Sequence, residues 1–265
     1  IDQFQAWILA LVQGLTEFLP ISSSGHLILV PSLFGWSDQG LTFDVAVHFG
    51  SLIAVCIFFR VDIYALLRGM QDVLVGKFSS ADARMVWNLG LGTIPAGIAG
   101  LLFAAWIATN LRDPVVVVTT LAIYGFLMAL VDRYASVNRN IGDISIWDAI
   151  FIGCAQALAL IPGTSRSGIT ITVGRLLGIA RSDAAKFSFL LSIPIVVMAT
   201  LLEVVVLVTG EISVDWSNLA LGVFISAVVA YISINFFMRV VNVIGLLPFA
   251  IYRLVLASVI VYVLL

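Results

Sequence analysis

Charge is what this chain has least of. Only 11% of its 265 residues are Asp, Glu, Lys or Arg, against roughly 25% in soluble domains. With 62% hydrophobic residues and a mean hydropathy of +1.15, a water-soluble globule is excluded, because it has nowhere to place so much apolar surface. A basic excess is also missing. The net charge of −2 leaves no electrostatic footprint for nucleic acid, so no nucleic-acid partner is expected. Cysteine is scarce: Cys56 and Cys154 sit in apolar runs without metal-ligand spacing and read as small hydrophobes. Alternation of apolar and polar residues is absent from 115–131 and 248–265, which excludes a transmembrane β-barrel. No basic start followed by a small-residue cleavage site is visible, so no cleavable signal is expected.

What remains is a series of apolar helices. A first piece over 4–18 is cut by Pro20 and the run Ser22-Ser23-Ser24-Gly25, and a short piece over 27–33 follows. Neither piece has the roughly 20 residues of a comfortable span. Together they predict a hairpin that enters the membrane and turns back. Full spans are predicted over 43–59, 86–107 and 114–131, followed by a polar connector over 132–143. The second half opens in the same way. A piece over 146–160 is cut by Pro162-Gly163-Thr164-Ser165-Arg166-Ser167-Gly168, a short piece covers 169–179, and long runs cover 184–208, 216–238 and 247–265.

The two halves align without a gap at an offset of 143 residues through their breaks. Gln13 meets Gln156, and Ser22, Ser24 and Gly25 meet Ser165, Ser167 and Gly168. Lys and Arg gather in cytoplasmic loops. Arg60, Arg68, Lys77 and Arg84 flank the connector over 61–85, whereas its counterpart over 209–215 carries Glu211 and Asp215 and no basic residue. Arg139, Arg181, Lys186 and Arg239 fit the same side, while Arg112 does not. Equivalent loops then lie on opposite sides of the membrane. The expected fold is an all-α polytopic membrane protein of two inverted-topology repeats, 1–134 and 144–265. Each repeat has a re-entrant broken hairpin and about three transmembrane helices, and the two form a single membrane domain with both termini outside.

Non-helical backbone at membrane depth must line a cavity or be buried in protein, so the two breaks are expected to meet. They bring together Gln13, Glu17, six hydroxyls (Ser22, Ser23, Ser24, Thr164, Ser165 and Ser167), His26 and Arg166. Each break ends in Ser-x-Ser-Gly before a new helix, where free N–H groups favour an anion. Arg166 adds a planar fork suited to phosphate oxygens. Gln13 and Glu17, four apart on one helix face, can offer oxygen ligands to Mg²⁺ or Ca²⁺. His26 follows Ser23 by three residues and could reach its hydroxyl or a leaving oxygen, a spacing that suits nucleophilic or acid–base work. Outside the breaks, Asp44 and His48 read as a helix-end pair. Glu203 reads as a cavity-facing or neutral acid. Arg175 reads as either a second phosphate contact or a membrane-edge anchor.

The stretch QGLTEFLPISSSGH (13–26) and the stretch PGTSRSG (162–168) resemble the undecaprenyl-diphosphate phosphatase family, associated with bacitracin resistance. FSFLLSIP (187–194) and PFAIYR (248–253) extend the resemblance over nearly the whole chain. It implies a bacterial inner-membrane enzyme that removes the terminal phosphate of a C55 polyprenyl diphosphate, with its site facing the periplasm, and recycles the lipid carrier for peptidoglycan. It also implies a divalent cation. The family's acidic pair has Glu or Gln first and falls on Gln13 and Glu17, its serine loop and histidine on Ser22, Ser23, Ser24 and His26, and its arginine on Arg166. Under this reading Arg166 clamps the diphosphate, with Ser22, Ser24, Gly25, Thr164, Ser165, Ser167 and Gly168 as further contacts. Glu17 and Gln13 hold the metal. The nucleophile is Ser23, His26 or a metal-bound water. The lipid tail lies against membrane lipid, and the chain is compatible with a homodimer. The rival expectation is a lipid-phosphate flippase or anion transporter, since inverted repeats with broken helices also build transporters. The type 2 phosphatidic acid phosphatases are excluded, because Thr172 stands where they need a second histidine.

Overall fold

A computed structural model describes residues 2–111, 113–137, 139–209 and 215–264. Arg112 and most of the connector over 209–215, including Glu211, lie outside the described residues. Eleven α-helices are described: α1 (Gln3–Thr16), α2 (Ser23–Phe34), α3 (Leu41–Phe58), α4 (Arg60–Leu74), α5 (Ala81–Asn110), α6 (Pro114–Tyr134), α7 (Ile146–Leu158), α8 (Arg166–Leu176), α9 (Arg181–Thr209), α10 (Trp216–Ile244) and α11 (Leu247–Leu264). No strand is found among the described residues. Helices α3, α5, α6, α9 and α10 are long and apolar enough to cross a membrane by length and composition. The chain is a multi-pass membrane protein. Its outer faces carry large apolar side chains such as Leu102, Phe126, Phe224 and Val243, which in lipid need no cover.

Local chemistry sets the helix starts. Asp113 accepts from the Val115 N–H, and Pro114 takes the first turn of α6, where a missing N–H costs nothing. Ser80 caps α5, and a Ser145–Asp148 capping box starts α7. Helix α4 was not expected, because the region over 61–85 reads as a connector. Its apolar residues are interrupted by Asp62, Arg68 and Asp72, so it lacks the continuous run that marks a span. It folds back on α5 so closely that a Cβ at Gly69 would lie 2.4 Å from the Asp82 carbonyl oxygen. Helices α6 and α10 also run past their predicted ends, to Tyr134 and Ile244.

The core runs under both breaks. Phe189, fully buried, packs edge-on against Phe18 at 5.0 Å between centroids, and Phe237 links Phe189 to Phe249. Beyond it a set of ion pairs closes the end where α6, α8, α9 and the α10–α11 turn meet. Asp132 accepts from Arg181 Nε at 2.7 Å, from Arg175 Nε at 3.3 Å and from the Leu246 N–H at 2.9 Å. Arg175 is buried there and also donates to the Ile179 carbonyl. It is therefore an internal tie, neither a phosphate contact nor a membrane-edge anchor.

Candidate functional site

The two breaks are shorter than the sequence suggests, because their hydroxyls already belong to the helices that follow. Ser23, Ser24 and Gly25 form the first turn of α2, and Arg166, Ser167 and Gly168 form the first turn of α8. The residues before them share one uncommon conformation. Ser22 has φ +75° and Ser165 has φ +67°, and they alone among the described non-glycine residues have positive φ. Such backbone costs about 1–3 kcal/mol and persists only where surrounding contacts impose it. The same contacts impose it twice. Each serine Oγ accepts from the N–H of Gly25 or Gly168 and lies 3.3 Å from the hydroxyl two residues on. Ser167 Oγ donates to the Leu19 carbonyl and so ties one break to the other. Gly163, at φ +85°, allows the second break to pass α6, where a Cβ would fall 2.2 Å from Thr120 Oγ1.

Glu17 is the hub between the breaks. Its buried carboxylate accepts from Arg166 at 2.8 Å, Ser23 Oγ at 2.7 Å and Gln13 Nε2 at 3.0 Å, and His48 Nε2 lies 3.3 Å away. Arg166 also donates to the Ser188 carbonyl, and its guanidinium lies over Phe18. Ser23 therefore has a carboxylate within proton-transfer reach, and Arg166 holds the other oxygen of that carboxylate. These groups face a cavity of about 370 Å³ whose lining includes Glu17, Ser23, Ser24, His48, Ser165 and Arg166.

The other predicted residues lie just outside this lining. Ser22, Gly25, Thr164, Ser167 and Gly168 are buried in the turns themselves. His26 does not reach Ser23. Its Nδ1 donates to the Ser22 carbonyl at 2.7 Å, which leaves Nε2 to accept from the Tyr252 hydroxyl at 2.7 Å, and the two rings stack. The imidazole thus braces the strained Ser22.

The bacitracin resistance protein BacA family profile matches residues 6–259. The chain belongs to the BacA family. It is similar to undecaprenyl-diphosphatase 2 of Stutzerimonas stutzeri, at 52% identity over 261 residues and 97% of both chains. It is similar also to the undecaprenyl-diphosphatases of Teredinibacter turnerae (49% over 255 residues, 96% of this chain and 97% of the relative) and Hahella chejuensis (50% over 251 residues, 95% and 94%).

Within this BacA chain the structure gives three residues places that the sequence reading did not assign them. His48 belongs to the hub. Its Nδ1 donates to the Asp44 backbone oxygen at 2.7 Å. The only signal for it in sequence is a polar ring inside an apolar span. Arg253, from the PFAIYR stretch, is 1% exposed and donates to carbonyls of both breaks, Gly163 at 3.0 Å and Pro20 at 3.5 Å. Glu203 accepts from Thr42 Oγ1 at 2.6 Å.

Tyr252→Phe tests the brace on His26. It removes the hydroxyl while keeping the stacked ring, so kcat should fall about three- to ten-fold, as expected for one neutral hydrogen bond. His26→Ala should fall further. Steady-state kinetics on both variants check the order, and wild-type kcat in Tyr252→Phe would remove Tyr252 from the chain of support.

Proposed function

We propose that this chain hydrolyses undecaprenyl diphosphate to undecaprenyl phosphate and inorganic phosphate, recycling the lipid carrier for peptidoglycan synthesis in the bacterial inner membrane. The observation that carries this reading is the convergence of Ser23 and Arg166 on Glu17 in a cavity whose lining also includes the apolar Leu41, Val45, Leu160, Ile195 and Val196. It is joined by near 50% identity to proteins named undecaprenyl-diphosphatase. Ser23 Oγ attacks the terminal phosphorus while Glu17 takes its proton. The anhydride P–O bond breaks, and the lipid monophosphate leaves with the bonding electrons. Glu17 protonates that leaving oxygen, then draws a proton from the water that attacks the phosphoserine and returns it to Ser23 Oγ as that P–O bond breaks, which releases phosphate and restores both groups. Arg166 offsets the negative charge that builds on the phosphoryl oxygens.

The residues present fit a divalent cation. Gln13 Oε1 is a buried oxygen with no hydrogen-bond partner among the described residues, on the amide whose Nε2 donates to Glu17 at 3.0 Å, and Mg²⁺ and Ca²⁺ take oxygen ligands. Gln13 and Glu17 are the residues that would hold the ion, which when bound neutralises phosphate oxygens. Gln13→Glu replaces the Nε2 donor with a second carboxylate. It should lower the half-saturating cation concentration by about ten-fold, the scale of one added charge. Cation titrations of both proteins check this, and superimposable curves would place Gln13 outside the ion's shell.

The inverted-repeat architecture is part of the same proposal. Crosswise packing supports it: α1 packs on α10 and α7 on α5, while α3 meets α9 and α6 meets α11. The cavity's lining includes Leu41 and Asp44 from the start of α3 and Thr200 from the later half of α9. These are the ends away from Arg60 and Arg181, so the basic-side rule directs the site to the periplasm. Phosphate release from a polyprenyl diphosphate by detergent-purified protein, with Mg²⁺, Ca²⁺ or chelator, tests the function. No release from folded protein under any condition would reject it in favour of lipid-phosphate transport.

A further inference from the structure

The relation between the halves leaves one polar side chain without a task. Gln156 holds in the second half the place of Gln13 in the first. It is 2% exposed, it lines the cavity, and neither its amide nitrogen nor its amide oxygen has a hydrogen-bond partner among the described residues. Across the cavity's lining, Thr200 on α9 has a buried hydroxyl that is also without a partner. Helical threonine hydroxyls ordinarily turn back to the carbonyl four residues earlier, as Thr16, Thr93 and Thr119 do in this chain. Thr200 does not. The neighbouring wall is apolar, with Leu160, Ile195, Val196 and Ala199. Buried polar groups in native proteins find partners. Two unpartnered groups on different helices, lining one cavity, mark a place where a ligand completes the hydrogen bonding.

We infer that Gln156 and Thr200 form a second phosphoryl subsite, which holds the proximal, lipid-linked phosphate of the substrate. The inference rests on the reading above, in which Ser23 and Arg166 take the terminal phosphate. A diphosphate then presents its other phosphoryl group to the rest of the lining, where the amide N–H of Gln156 and the hydroxyl of Thr200 are the unpartnered donors. Both are neutral. They orient the proximal phosphate without a full ion pair, so the lipid monophosphate, once cut from the group held by Arg166, is bound weakly enough to leave.

The test uses purified full-length protein with Gln156→Leu and, separately, Thr200→Val, on farnesyl diphosphate at fixed free divalent cation. KM should rise about ten-fold or more in Gln156→Leu, the scale on which a polar site rejects a ligand that no longer matches it, with a smaller fall in kcat. Inhibition by inorganic diphosphate should weaken by a similar factor, while inhibition by inorganic phosphate, which needs only the Arg166 side, moves less than about two-fold. The thermal midpoint of both variants should hold or rise, because an apolar side chain replaces an unsatisfied one. Wild-type KM and wild-type diphosphate inhibition in both variants would overturn the subsite and leave the phosphatase standing. A lowered midpoint with KM unchanged would make these residues structural and overturn it as well. If the wild-type protein releases no phosphate, the function falls and the subsite with it.

Discussion

Ser23→Ala should lower kcat by about 10⁴-fold or more while KM for the prenyl diphosphate changes little, the pattern of a lost nucleophile in an intact site. Three nucleophiles fit the sequence: Ser23, His26 and a metal-bound water. The geometry favours Ser23 over His26. Ser23 Oγ donates to Glu17 Oε2 at 2.7 Å and faces the cavity. His26 has both ring nitrogens engaged, by the Ser22 carbonyl and by Tyr252. The alanine is sterically silent in the first turn of α2, because the cap itself comes from Ser22. A phosphorylated peptide containing Ser23, trapped by acid quench and read by mass spectrometry, would give the same answer independently. Turnover within ten-fold of wild type would hand the attack to water and reduce Ser23 to a ligand of Glu17.

Much of this arrangement is legible in the residues before any coordinates. The long spans are, because a run such as 216–238 has one interpretation in a chain this poor in charge. The meeting of the breaks is too, because matched polar interruptions at membrane depth have to face something other than lipid. Helix α4 is not, since Arg60, Asp62, Arg68 and Asp72 break up the continuous apolar run that marks a span. His48 is not, because its distance to Glu17 is set by how α3 crosses α1, and no local pattern encodes a crossing. His26 shows the opposite failure. A three-residue spacing puts two side chains on one helical face, but here the first is in the opening turn and the second reaches back to the Ser22 carbonyl. Arg253 escaped notice because an arginine near a helix's apolar run reads as an end anchor. Its value lies in joining Gly163 and Pro20, which are distant in sequence.

The two breaks are alike in backbone and unlike in chemistry. Ser22 and Ser165 share conformation and cap, yet the next residue is Ser23 in one half and Arg166 in the other. Glu17 has Leu160 as its counterpart, and His26 has Ile169. Two helix starts of like conformation therefore meet, one loaded with a hydroxyl and the other with a cation. A hydrolase needs attack from one side and charge stabilisation from the other.

That division of labour makes Arg166→Ala the second large expected loss. Turnover should fall at least about 10³-fold, the scale for removing an arginine that stabilises phosphoryl charge. Arg166→Lys should recover only part of it, because lysine keeps the charge but loses the planar fork. In the resting site Arg166 pairs with Glu17 at 2.8 Å, so its removal leaves a buried carboxylate short of one donor. Ser23, Gln13 and His48 still face that carboxylate, which predicts a folded protein with a modestly lower thermal midpoint rather than an unfolded one. Activity and melting are to be measured on the same preparation. A folded Arg166→Ala protein with near-normal phosphate release would remove the clamp from the mechanism. A folded one with normal KM and collapsed kcat would place the guanidinium's work in the transition state rather than in substrate binding.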